Sequence, residues 1–341
     1  MTRLSPLTLG SSAGCCDTAD PTFDIDEAEA AATELIDLFG SRGDDLGAAR
    51  AWFLHSLNRW YLLDSAGTAA AGERAAEAAR RAGSPSEETL ALQQVVSGTG
   101  AGALPVPEAR ARIEAILEQA RADGNRLLVT TSLASLAMAE AWAGDLDEAR
   151  RRGNEARALM QELGQTLWYW GTTQGGGIMS ELGGDREEAA RWYRQGYDEL
   201  VALGEKGYAS TNAAMLARVL ALLHQDDEAL RFADIAEETG AADDIATQQA
   251  FRIARAYVAA RRGEATGAVE LAREAIALAD TTDSLVSQAW YRTELARILA
   301  SVGRADEARE ICREAIEIFE RKQASNGVAV ARRVLAEIAG A

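Results

Sequence analysis

The residues able to do chemistry are few, and their spacing is poor. Two histidines (His55, His224) and three cysteines (Cys15, Cys16, Cys312) leave no room for a Cys/His zinc site, which needs about four such ligands converging. Gly98-Thr-Gly-Ala-Gly-Ala103 fits a loose dinucleotide fingerprint, but Pro105 and Pro107 follow it where the phosphate-binding helix should run, so it reads as a loop. Gly10-Ser-Ser-Ala-Gly14 matches a nucleophile elbow in letters alone, with no strand before it and no helix after it. The two lysines, Lys206 and Lys322, precede Gly207 and Gln323, so neither completes a phosphate loop, and no His-Glu-x-x-His occurs. Adjacent carboxylates abound (Asp44-Asp45, Glu87-Glu88, Asp226-Asp227, Glu237-Glu238, Asp243-Asp244). They cluster at corners, where acids favour helix N-termini without catalysing anything. The expectation is a protein that is not an enzyme and has no metal, no cofactor and no catalytic residue.

Composition narrows the partners. The 341 residues carry 35 Lys+Arg against 53 Asp+Glu, a net charge of −18, which disfavours direct contact with nucleic acid. Hydrophobic residues make up 48%, enough for a core, yet no apolar run approaches the roughly 20 residues that cross a bilayer. The first residues form a poor secretory signal, and Ser12-Ala13-Gly14-Cys15 has Ser12 where a lipoprotein box needs Leu. Three thiols make no disulfide framework, so a cytoplasmic location is expected. Residues 1–22 read as a disordered tail.

The elements that must position any site come from a repeat. Gly144-Asp-Leu-Asp-Glu-Ala149 returns as Gly184…Ala189, His224…Ala229, Gly263…Ala268 and Gly303…Ala308, at spacings of 40, 40, 39 and 40. Stepping backwards reaches Leu104…Ala109, Asp64…Ala69 and Phe23…Ala28. Each phrase predicts a helix-turn-helix corner: Gly144 takes a positive φ, and Asp145 caps the helix that follows. Two helices of about 17 residues plus two turns fill the period. Three slots, 7 before, 5 after and 12 after each turn residue, hold Ala137, Ala149, Ala156, then Gly177, Ala189, Gly196, and so on to Ala296, Ala308, Ala315. All fifteen in the last five repeats are Ala or Gly, so paired helices can approach closely.

These small residues around a constant turn resemble the tetratricopeptide repeat, over about residues 23–341 and most strongly over 127–321. The period is 40 rather than 34, and the aromatic residue usual in the first helix is mostly missing. In this longer form the chain resembles C-terminal arrays of bacterial signalling ATPases and transcription regulators. The resemblance implies an all-α, right-handed α-solenoid of about sixteen helices over 23–341, with a capping helix at about 326–338. It implies binding of a protein or peptide partner on the concave face, or of a small effector in a regulatory array. It leaves the oligomeric state open.

The first helix of each hairpin would line that face. Its candidates are Thr131, Ser135, Met138 and Trp142, then Gln174, Ile178 and Glu181, then Thr211, Met215, Arg218, Tyr257, Trp290, Glu294 and Arg297, with inter-repeat core as the competing reading of the apolar ones. The Lys and Asn clamp of the chaperone-binding branch is absent. Leu167-Trp-Tyr-Trp-Gly-Thr-Thr-Gln-Gly-Gly-Gly-Ile-Met179 breaks the pattern, because three successive glycines weaken a helix by about 1 kcal/mol each. Gly177 is a packing slot and Gly176 adjoins it, whereas Gly175 is expected to face the groove. Trp168, Trp170, Gln174 and Gly175 are therefore expected to border a ligand site.

Overall fold

A residue with positive φ recurs at intervals of about twenty or forty positions, and it sets the architecture. The computed structural model describes residues 25–340, so the tail, Cys15, Cys16 and the Gly10–Gly14 motif lie outside the described residues. Positive φ occurs at Gly43, Leu63, Gly83, Gly124, Gly144, Gly164, Gly184, Gly204, His224, Gly263, Gly303 and Gln323. Between these hinges run α1 (Ile25–Arg42), α2 (Asp45–Tyr61), α3 (Ser65–Arg81), α4 (Pro85–Ala101), α5 (Val106–Ala122), α6 (Arg126–Ala143) and α7 (Leu146–Glu162). They continue with α8 (Thr166–Gly171), α9 (Thr173–Gly183), α10 (Arg186–Ala202), α11 (Gly207–Leu222) and α12 (Asp226–Thr239). The last are α13 (Ile245–Arg261), α14 (Ala265–Asp280), α15 (Leu285–Ser301), α16 (Ala305–Lys322) and α17 (Ser325–Gly340). The described residues hold no strand. α8 and α9 are separated only by Thr172 and share one place in the array, so seventeen segments fill sixteen positions.

Local chemistry explains the boundaries. Asp44, Asp64, Asp145, Asp185 and Asp244 each accept a hydrogen bond from the backbone N–H three residues on, satisfying an otherwise orphaned donor. Gly144 closes α6 in the left-handed region at φ 99°. Gly98-Thr-Gly-Ala does not form the loop expected of it; α4 continues to Ala101. A Cβ on Gly98 would lie 2.5 Å from the Ser65 carbonyl, so this glycine lets the backbone of α3 rest on α4.

The small slots pack as their spacing predicts. All fifteen, from Ala137 to Ala315, are buried. Upstream, where the rule weakens in the sequence, Leu57, Ser97 and Ile116 are only half-buried. Each first helix packs on its own second helix, and α2–α4–α6 and α11–α13–α15–α17 stack as the inner wall of an α-solenoid. No described helix is long and apolar enough to cross a membrane.

The array then meets itself. α17 packs on α15 and α16 as the next first helix should, and it also reaches back to α6 and α9. The concave wall between α9 and α15 is consequently not an open trough: its side chains meet across the inside.

Candidate functional site

Inside the curve lies a buried chain of charges. Arg218 on α11 donates through Nη2 to Glu181 Oε1 at 2.6 Å and through Nη1 to Glu294 Oε1 at 3.2 Å, joining α9 to α15. Tyr193 Oη donates to the same Glu181 oxygen at 2.7 Å, and Tyr257 Oη donates to Glu294 Oε2. Arg218 is 3% exposed, and Glu181, Glu294, Tyr193 and Tyr257 are buried with it. Burial by itself lowers the Arg218 pKa; Glu181 and Glu294 outweigh it and hold the guanidinium charged. Both tyrosines are pushed well above their ordinary value, first by burial and then by the adjacent carboxylate, so they stay neutral donors. The Arg218 guanidinium also lies 5.4 Å from the Trp290 ring centroid.

The glycine segment serves this network. A Cβ on Gly177 would stand 2.2 Å from the Tyr193 ring, and one on Gly176 would stand 2.7 Å from Trp192. Both glycines make room for aromatic rings of α10, which brings the Tyr193 hydroxyl to Glu181. Gly175 differs: its nearest neighbour would be Met138 Sδ at 3.3 Å, the flexible end of a side chain. Gly177→Ala is therefore expected to cost about 2 kcal/mol by overpacking. Gly175→Ala should be neutral or stabilising by up to about 1 kcal/mol through helix propensity. Urea unfolding of the two variants checks the contrast, and equal effects would refute it.

The interruption itself sits ahead of the glycines, at Thr172. Arg157, from α7, donates through Nη1 to the Tyr169 carbonyl at 2.9 Å and to Thr172 Oγ1 at 2.7 Å. A side chain inserted into the helical ladder is a recognised cause of a kink. The same guanidinium lies 3.9 Å from the Tyr169 ring centroid, 5.1 Å from Trp192 and 5.9 Å from Trp170. Trp168 meets the Tyr208 ring edge-on at 6.1 Å and is 45% exposed. Gln174 Nε2 reaches the Tyr208 carbonyl at 3.5 Å. Of the sequence-predicted residues, Trp168 and Gln174 thus meet at Tyr208, Trp170 lies near Arg157, which sequence reasoning missed, and Gly175 faces Met138.

The remaining candidates divide. Arg218, Glu294, Tyr257 and Trp290 converge on the buried network. Thr211 is buried beside Thr247 at 3.0 Å and Asp244 at 3.4 Å, where it supports the start of α13. Met215 packs on the main core, and Arg297 pairs with Glu337 on α17 at 3.1 Å. Among the described residues no group of three His, Cys, Asp or Glu could hold a metal ion. A cavity of about 40 Å³ beside Glu181, Trp290, Glu294, Arg297 and Val330 admits a water molecule or two. Pockets for small organic ligands run to roughly 300–1,000 Å³. Tyr193, Arg157 and Trp192 gave no signal in the sequence, because their partners lie on other helices.

No protein-family model matches the chain, and the comparison with curated proteins returns no match. Among solved structures the chain is similar to yeast Tom70, with 14% identity, 90% of this chain and 58% of that one covered, and a TM-score of 0.45. It is similar to BtubC from P. vanneervenii, with 17% identity, coverages of 69% and 93%, and a TM-score of 0.44. A tetratricopeptide repeat protein from Parabacteroides merdae shows 12% identity, coverages of 90% and 99%, and a TM-score of 0.40.

Proposed function

We propose that this chain is a non-enzymatic scaffold that binds a protein or peptide partner, and that the aromatic corner around α8 is where it does so. One observation carries the reading. α8 has no fully buried residue, yet it carries an exposed Trp168 between half-buried Leu167, Tyr169 and Trp170, on a helix that Arg157 anchors through the Tyr169 carbonyl. Aromatic side chains offer large contact area at low entropic cost, and Trp, Tyr and Arg dominate binding hot spots. The half-buried Gly175 and Gln174 continue onto the inner wall, Gly175 lying against the flexible Met138 side chain. The cavity inside the curve is too small for a peptide, which directs an extended partner to this rim. Expected partners are proteins or peptides rather than nucleic acid, given the net charge of −18.

A phage-displayed random peptide library panned on the intact chain tests the proposal. Wild type is expected to enrich an apolar or aromatic consensus, with at least tenfold weaker binding to Trp168→Ala and Trp170→Ala at unchanged melting temperature. A consensus that binds both variants as well as wild type, or no enrichment at all, would remove the corner from the proposal.

A further inference from the structure

α17 has two apolar faces, and the array needs only one of them. Ala331, Val334 and Ile338 join the core shared with α15 and α16, as the next first helix must. Val330 belongs elsewhere, in a cluster with Ala141, Ala149 and Leu182 of α6, α7 and α9. On the same side, Asn326 Nδ2 donates to the Ala141 carbonyl at 3.1 Å, and Arg333 lies across Gly184. Asn326, Val330 and Arg333 stand at i, i+4 and i+7, one stripe of a helix, which is how an amphipathic helix engages a groove.

The surroundings of this contact differ from the rest of the protein. Asp283, before α15, accepts from the Ser65 and Ala66 amides at 2.9 and 2.8 Å, capping α3 from 217–218 residues away. Lys322, at the end of α16, donates to the Gly102 carbonyl after α4. Within the repeats the small slots are buried between their paired helices. Where the array meets itself, polar anchors flank the small apolar cluster around Val330, and a cavity of about 40 Å³ lined in part by Leu222, Trp290 and Val330 adjoins it. Interfaces of this composition separate before cores do.

We propose that this seam is an autoinhibitory clasp: α17 occupies, in cis, a helix-docking site on the wall formed by α6, α7 and α9. When the clasp opens, the same wall takes in trans an amphipathic helix presenting an amide, an aliphatic and a basic side chain at the spacing of Asn326, Val330 and Arg333. Trp142, which meets Trp290 edge-on at 5.9 Å and Phe319 at 5.8 Å, is uncovered by the same motion. The site is separate from the aromatic corner and stands or falls without it.

The probe is a fluorescently labelled peptide of residues 325–340, added to the full chain as wild type, Val330→Asp and Asp283→Ala. Val330→Asp spoils the face toward α6 and α9 and spares Ala331, Val334 and Ile338. It is expected to bind the peptide at least tenfold more tightly than wild type. Hydrogen exchange at Ala141–Gly144 should quicken at least tenfold, with α15 and α16 still protected. Should Val330→Asp fail to melt cooperatively, Asp283→Ala, which leaves α17 untouched, carries the same comparison. Peptide affinity unchanged across the three chains would overturn the clasp. So would a wild-type chain whose mass shows α17 exchanged between two copies.

Discussion

Replacing Arg218 with methionine is expected to lower the unfolding free energy by about 3–5 kcal/mol, the largest loss from any single side chain discussed. Methionine keeps much of the volume, so the loss is electrostatic. Glu181 and Glu294 would stay enclosed without the guanidinium that now lies 2.6 and 3.2 Å from them. Tyr193 and Tyr257 still donate to them, but a neutral donor does not replace a counter-charge. Adding Glu181→Gln and Glu294→Gln should recover part of the loss, because no buried charge then remains. Urea unfolding of the single and triple variants measures this. A loss under about 1 kcal/mol for Arg218→Met would mean that the network is hydrated or open in solution.

The fold could be read from the sequence because it is periodic, and the closure could not because it is not. Each hairpin needs only contacts within about 40 residues, so a turn residue and three small slots recur with every copy. Those slots are the buried fifteen. Asp283 and Ser65, or Asn326 and Ala141, are joined by single contacts across 218 and 185 residues and leave no repeating trace. Of the candidates expected to face inward, Arg218, Tyr257, Trp290 and Glu294 meet in the buried network, whereas Trp168 is exposed. Whether that interior is a trough or a filled space depends on the winding of the whole array, which no one repeat encodes. Gly98 shows the limit locally. A glycine-rich run reads as a loop when its neighbours are unknown, and here its missing Cβ is used to seat another helix. Lys322 did carry a hint, as one of two lysines in a chain whose positive charge is otherwise arginine.

That lysine makes the clasp sensitive to pH, and the direction can be worked out. Lys322 is 1% exposed, and its pKa is lowered from 10.5 to about 8, chiefly by burial, with Asp283 opposing the shift as the charged group facing it. Between these two values the unfolded chain holds a proton that the folded chain has released, so stability gains with rising pH. The gain attributable to this group is about 2 kcal/mol between pH 7.5 and 10. Cys312 works against it: burial raises its pKa, so the unfolded chain ionises first and stability falls as pH rises through 9. Tyr193 and Tyr257, also raised, act in the same sense as Cys312 near pH 10, so the total pH profile mixes several groups and only a difference isolates the lysine. Lys322→Met removes the titrating group, fills the same space and leaves Cys312 in place. The stability of wild type relative to Lys322→Met should improve by about 2 kcal/mol from pH 7.5 to pH 10 in urea unfolding. A constant difference across that range would mean that Lys322 reaches water, and that the seam beside Gly102 is already open.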